Sequence, residues 1–366
     1  MNMARVSSKT GKLNVGSVLV VGYNSRVAAC SARRAGYKVY SLGHYDDLDL
    51  LRCVESSIRF EDHPSSIRPF LKKLDVDYVV LGAGFEDADV PASMVLGNDP
   101  KIAHNVCNKL WLARKIEELG IPQPAIYTRE NVRYPCIAKP IVGGGGHKNF
   151  KVYDESMLPP EDEYFLQELV TGTPLSVCAL STGSEAMPVS VNEILVGKKW
   201  LGVEPGYTYC GNVTPYITRF KDEMFDIARK LIPALGLVGT NGIDFIVNKD
   251  GPKVLEVNPR FQGSLDAVEM ATGENHFQAH VDAINGKLRP FKIKQYGYRA
   301  ILFAGRTTRV VQDLSSPETA DIPPVGTVIE KGNALISINA TGQTRGEASA
   351  VVRGTIRRIR KGLQSV

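Results

Sequence analysis

Several common signals are missing from these 366 residues. The six cysteines stand at positions 30, 53, 107, 136, 178 and 210, and no two have Cys-x-x-Cys spacing. That excludes a zinc ribbon or a thioredoxin-type redox pair, and thiols scattered in this way read as reduced cytosolic cysteines. Residues 1–15 are polar and lack an apolar centre, so they are expected to be a mobile extension, neither a signal peptide nor a membrane span. No dense basic run with interleaved aromatics occurs, which removes nucleic acid from the expected partners. There is no internal repeat and no low-complexity stretch. The first strand ends in Gly22-Tyr-Asn-Ser25, not Gly-x-Gly-x-x-Gly, so a dinucleotide fingerprint is absent as well.

What is present is a globular enzyme-like composition. Hydrophobic residues make up 43%, enough for two or three domains with real cores. The net charge is +5 and the pI about 8.7, which suits a protein that handles phosphates or carboxylates. Arg357-Arg358 and Arg360-Lys361 read as the solvated face of a last helix.

Apolar strands and helices alternate over residues 16–104, the pattern of a parallel, doubly wound α/β unit. Ligands bind such sheets at the carboxyl ends of the strands, which places Tyr23, Asn24, His44 and Glu86 near a pocket. A helix is expected over 105–120, ending at Gly120, and a small lid-like domain extends to residue 174. Residues 175–296 read as a larger sheet domain. Residues 297–366, with Pro- and Gly-rich turns and a closing helix over Glu347–Leu363, read as an α+β appendage of that region.

The richest stretch is Asp244–Arg260. Two apolar runs flank Asn248-Lys-Asp-Gly, a hairpin signal. Asp244 lies on the first strand. Glu256 and Asn258 lie two residues apart on the second, so both leave one face. Two carboxylates and an amide oxygen on one face make a hard-cation site suited to Mg²⁺. Arg260 continues the face and adds a guanidinium, which points to phosphate or oxyanion chemistry. Upstream, Tyr134-Pro-Cys-Ile-Ala-Lys139-Pro delivers a lysine at a strand end, directly before Gly143, Gly144, Gly145 and Gly146. Such a run lets backbone N–H groups approach phosphate oxygens. His276 and His280 share a helix face at a spacing that can bind zinc, but no third ligand is visible, and a structural or substrate-lining role is expected.

Taken together, Asn108-Lys109, Lys139, the glycine run, Phe165-Leu-Gln-Glu-Leu-Val-Thr-Gly and the Asp244…Glu256-x-Asn258 hairpin resemble the ATP-grasp superfamily over about residues 105–280. The resemblance implies a three-part fold: a Rossmann-like entry domain, a lid and a catalytic α+β domain. It implies that Lys109, Lys139 and the glycine loop meet the ATP phosphates, and that Gln167, Glu168 and Val170 face the adenine edge. It makes Asp244, Glu256 and Asn258 ligands of Mg²⁺, or of Mn²⁺ in its place, with Arg260 as the catalytic charge. The chain departs from the pattern at Thr173-Pro174, where many members carry an acid for the ribose hydroxyls. The implied reaction is ADP-forming ligation of a small-molecule carboxylate and an amine in the cytoplasm, and a homodimer is left open. The motifs are weakly specific for substrate. A carboxylase acting through carboxyphosphate, a kinase and a non-catalytic nucleotide-binding regulator stay open as alternatives.

Overall fold

The apolar runs of the N-terminal third form four parallel strands: β1 (Ser17–Val21), β2 (Lys38–Gly43), β3 (Ser56–Arg59) and β4 (Tyr78–Leu81), ordered β3-β2-β1-β4. The computed structural model describes residues 16–366 apart from 144, 145, 147 and 205. The expected N-terminal extension, Gly144, Gly145 and His147 therefore lie outside the described residues. Alternate side chains of β1 enter two cores: Val18 and Val20 on one side of the sheet, Leu19 and Val21 on the other. Burial on both faces is why this strand reads as an unbroken apolar run. Helices α1 (Arg26–Arg34), α2 (Leu48–Cys53) and α3 (Arg68–Lys73) make the connections.

Here one expectation fails. Cys30 of α1 and Cys53 of α2 form a disulfide, so they are not free thiols. The two helices pack side by side, which brings the Cα atoms to 5.1 Å, inside the range a disulfide needs. A separation of 23 residues carried no local sign of that approach.

A second difference lies at the entry to the lid. The single helix expected over 105–120 is two, α4 (Pro100–Cys107) and α5 (Lys109–Glu118). Asn108 breaks it with an extended backbone (φ −77°, ψ 102°), and its side-chain oxygen accepts from Trp111 N–H as an N-cap. Lys109 thereby becomes the first residue of a new helix. The lid sheet follows, with strands β5 (Ile126–Tyr127), β6 (Cys136–Pro140), β7 (Phe150–Val152) and β8 (Tyr164–Glu168) in the antiparallel order β5-β8-β6-β7.

The remaining strands are β9 (Thr173–Thr182), β10 (Ala186–Val196), β11 (Tyr209–Thr214), β12 (Val238–Asn248), β13 (Gly251–Asn258), β14 (Tyr296–Phe303), β15 (Thr308–Val310), β16 (Thr319–Ala320), β17 (Val328–Ile329), β18 (Ala334–Gly342) and β19 (Leu363–Ser365). Eight of them make one antiparallel sheet, β13-β12-β9-β10-β11-β14-β18-β16. The stretch read as an appendage thus joins the catalytic sheet itself through β14, β16 and β18, while β17, β15 and β19 form a small sheet of their own. Helix α6 (Lys221–Ala234) buries Met224, Ile227, Ala228, Leu231 and Ile232, a 3.6-residue stripe, against β9, β10 and β12. Two further helices, α7 (Leu265–Thr272) and α8 (His276–Ile284), follow the hairpin. Phe277 and Val281 of α8 enter the core of the N-terminal domain, so this helix joins the two large domains. The closing helix α9 (Arg345–Ile359) starts at a Thr344/Glu347 capping box, two residues before its expected start, and ends early enough for β19 to pair with β15. Among the described residues no helix is long and apolar enough to cross a membrane.

Candidate active site

The hairpin of β12 and β13 puts Asp244 directly across from Glu256, and Asn258 across from Gly242. Paired residues of an antiparallel ladder share a face, so the three polar side chains converge. A bulge follows Asp244: Phe245 pairs with Val254, leaving Leu255 without an opposite residue. The extra residue keeps Phe245 and Val254 in the core while Glu256 stays on the polar face. Asn258 Nδ2 donates to Asp244 Oδ2 at 3.2 Å. Burial first, and then the facing Glu256, push the Asp244 carboxyl well above the usual carboxylate range. Two full charges about 4 Å apart near a protein surface repel by on the order of 4 kcal/mol, and a dication between them reverses that sign. Among the described residues no three His, Cys, Asp or Glu side chains gather into a metal cage. Two carboxylates and an amide fit the incomplete shell of Mg²⁺, which takes one or two carboxylates and draws its other ligands from phosphates and water.

Two lysines stand beside this pair. Lys139, at the end of β6, is 8% exposed and donates to Gln167 Oε1 of β8 at 2.7 Å. Burial depresses its ammonium to about 8, with Glu256 acting against the shift and Lys109 adding to it. A displacement of that size corresponds to roughly 3 kcal/mol against its charge, a cost that a bound anion would relieve. Lys109 donates to Gly143 O, and its Nζ lies 3.9 Å from Glu256. Gly143 (φ +125°) and Gly146 (φ +72°) hold backbone conformations that favour glycine, and a Cβ on Gly146 would meet Tyr207 O at 2.3 Å.

The three residues read as adenine-facing fall out differently. Gln167 turns its side chain to Lys139 and acts through that lysine. The carboxylate of Glu168 accepts from Lys253 Nζ at 2.9 Å and from Ala125 N–H at 3.2 Å, tying lid to hairpin. The hydrogen bond from Lys253 is the main reason its carboxyl sits below the usual range. Val170 lies in the connection between β8 and β9, outside both strands.

Arg260 leaves the end of β13 and donates its Nε to Glu86 of the N-terminal domain. Glu86 also accepts from Gly84 N–H at 2.8 Å, which fixes it at the carboxyl end of β4. Glu86 thus lies in the pocket region where strand-end reasoning placed it. His276 and His280 are buried and depressed to about 3 and about 4 by desolvation. His280 Nδ1 accepts from Thr240 N–H, which leaves Nε2 to donate to Leu96 O. That ring joins the two domains, in keeping with a structural role.

Motif reading missed a buried ionic network at the junction of the N-terminal and catalytic domains. Arg26 of α1 donates to Asp266 of α7 and to Asp321, and Arg299 of β14 donates to Asp321 at 2.8 Å. Tyr209, above the Arg299 side, donates to Asn212, and burial pushes its hydroxyl well above the usual phenol value. The available sign was Arg299 itself, a charge in the apolar strand Tyr-Gly-Tyr-Arg-Ala-Ile-Leu-Phe.

Residues 106–264 match the family model described as the ATP-grasp domain. Over 353 residues the chain is 28% identical to a protein of Methanocaldococcus jannaschii described as uncharacterized, covering 88% of this chain and 87% of that one. It is 29% identical over 250 residues to tyramine–L-glutamate ligase of the same organism, covering 63% of this chain and 70% of that enzyme. It also matches carbamoyl phosphate synthase large chains, for example that of Rubrobacter xylanophilus, of which it spans 19%. Among solved structures, biotin carboxylase of Campylobacter jejuni in complex with a nucleotide superposes with a TM-score of 0.74 at 13% identity, over 94% of this chain and 91% of that one. That likeness is one of fold. The chain carries an ATP-grasp domain over residues 106–264.

Proposed function

We propose that the chain is an ATP- and Mg²⁺-dependent ligase that joins a small-molecule carboxylate to an amine, forming ADP and phosphate. The observation that carries the reading is the opposed Asp244–Glu256 pair with Lys109, Lys139 and Arg260 around it. Bound Mg²⁺ would neutralise the nucleotide phosphates. Asp244, Glu256 and Asn258 would hold it. Lys139, steadied by Gln167, and Lys109 would draw the phosphates toward the hairpin as point charges. Gly143 and Gly146, free of side chains, would let backbone N–H groups approach the phosphates. The substrate carboxylate would attack the γ-phosphate, giving an acyl phosphate and ADP. The amine would then attack the acyl carbon and release phosphate. Arg260, held by Glu86, would stabilise the charge that builds on the transferring phosphoryl group and on the tetrahedral intermediate. Glu168, already paired with Lys253, would reach the adenine edge only through its main chain, as would Val170. The proposal includes action in the cytoplasm and a homodimer, the latter checked by sedimentation.

The test is turnover with ATP, Mg²⁺ and pools of carboxylates and amines, following ADP and phosphate together. Equal release of both that requires a carboxylate and an amine supports the reading. Release that requires only bicarbonate, ADP without phosphate, or no release contradicts it.

A further inference from the structure

The junction of the N-terminal and catalytic domains carries more negative charge than its own cations balance. Arg26 and Arg299 face three carboxylates there, Asp49, Asp266 and Asp321. Asp47 is a fourth. It precedes α2 with an extended backbone (φ −64°, ψ 141°), the usual place for a capping aspartate, yet its side chain makes no cap bond. Among the described residues it has no hydrogen-bond or ion-pair partner, although it is only 8% exposed. It is instead buried among carboxylates, facing Asp321 and Asp49, with Asp46 and Arg26 also within electrostatic range. A buried polar group without a partner is costly, and such groups persist where a ligand completes them.

Exposed aromatic residues stand near Asp47, Tyr45 in the sequence and Tyr23 at the same sheet end. Tyr23 and Tyr45 are 45% and 37% exposed at the carboxyl ends of β1 and β2. Tyr23 stacks on His44 with centroids 4.6 Å apart, and Tyr45 meets Tyr23 edge-on. His44 Nδ1 is buried and also lacks a partner. Sheet order relates Asp47 to the reacting centre. Asp47 follows β2, and Glu86, which holds Arg260, follows β4. β1 lies between those strands, so the two sites stand at one end of the same parallel sheet, on strands that are not neighbours.

We propose that Asp47, backed by Asp49 and Asp321 and flanked by Tyr23 and Tyr45, binds a primary ammonium group on one of the two substrates, at the end remote from the reacting group. This rests on the ligase reading for the word substrate, not for the site itself. The occupant is then an amino acid or diamine whose charged amine lies several bonds from the atom that reacts near Arg260. The ammonium supplies the missing cation, and the aromatic rings bury its alkyl body and add cation–π attraction. Burial, then Asp321 and Asp49, raise the Asp47 carboxyl to about 8, so binding the ammonium releases a proton and strengthens as pH rises toward that value.

The probe is n-butylammonium, with n-butanol as its neutral counterpart, observed by saturation-transfer NMR on the full chain. Wild type should show butylammonium signal, stronger at pH 8.5 than at pH 6.5, and little with butanol. Asp47→Asn should lose at least fivefold of it, while melting no lower than wild type at pH 8.5, because the substitution removes a crowded carboxylate. Equal butylammonium signal in wild type and Asp47→Asn, equal signal from butanol, or a lower melting point for the variant overturns the proposal. The two readings fail separately. Carboxylate- and amine-dependent ADP release without any Asp47-dependent butylammonium signal sinks this site and leaves the ligase standing. Asp47-dependent signal without such turnover keeps the site and removes the ligase chemistry.

Discussion

Two charged clusters, one on the catalytic hairpin and one at the junction with the N-terminal domain, are built on opposite plans. In the junction network, Arg26 sets two donors on Asp266 at 3.1 and 2.5 Å, and Arg299 closes the ring through Asp321. Opposite charges meet, and Asp321 is driven below the usual carboxylate range by those two guanidiniums even though burial opposes it. In the hairpin, like charges meet: Asp244 faces Glu256, and among the described residues Lys139 has a neutral amide as its hydrogen-bond partner. The first arrangement pairs each arginine with carboxylates and joins two domains. The second holds one carboxyl pushed up and one ammonium pushed down, the arrangement expected of a site that takes up a metal and a phosphate. Opposed displacements within one cleft separate a ligand site from a structural ion network better than burial does.

Substitutions should break the two clusters in different ways. The largest effect is expected from Glu256→Gln, which should cost orders of magnitude in turnover while leaving the melting temperature unchanged or raised, because a repulsive pair is relieved. Coupled ADP release and calorimetric melting on one preparation check both. Arg26→Ala should do the reverse. It leaves Asp266 and Asp321 buried with Arg299 as their one shared counter-charge, and a loss of about 3 kcal/mol in urea unfolding is expected. Arg260→Ala falls between, with kcat lowered roughly 100-fold, as for one preorganised donor, and ATP affinity much less affected. Arg260→Lys should rescue poorly, because a point charge cannot reproduce the planar contact. If ATP binding collapses at unchanged kcat, Arg260 belongs with the nucleotide-binding residues.

The smallest effect is one of pH. The depressed Lys139 is part-neutral near pH 8, and a bound phosphate favours its charged form. ATP binding should therefore take up protons and weaken as pH rises through that value. In the ligand-free protein the sign is opposite. Between about 8 and the ordinary lysine value the unfolded chain holds more protons than the folded one, so stability rises with pH there. Calorimetry of ATP binding in buffers of different ionisation enthalpy, with Lys139→Met as control, should show proton uptake in wild type alone.

Local chemistry was legible in the residues and long-range pairing was not. The hairpin could be read because Asn248-Lys-Asp-Gly specifies the turn and a period of two sets Asp244, Glu256 and Asn258 on one face. The parallel N-terminal sheet was legible from strand–helix alternation. Asn108 was readable in principle, as an N-cap residue inside an apparently continuous helix, but the helical pattern on both sides masked it. The Cys30–Cys53 bond depends on how α1 and α2 pack, which no spacing rule gives. Arg26 and Asp266 are 240 residues apart, and their pairing becomes visible only once α7 docks on the entry domain. Gln167 was assigned to the nucleotide by position along β8, whereas the register of β6 on β8 turns it to Lys139.

The most direct test of the central claim is the binding of Mn²⁺, a spectroscopic substitute for Mg²⁺, followed by electron paramagnetic resonance with a non-hydrolysable ATP analogue. Wild type should immobilise Mn²⁺ only when the nucleotide is present, and Glu256→Gln should weaken that binding at least tenfold while Arg26→Lys leaves it unchanged. Equal Mn²⁺ binding by wild type and Glu256→Gln would contradict the assignment of the Asp244–Glu256 face as the metal site.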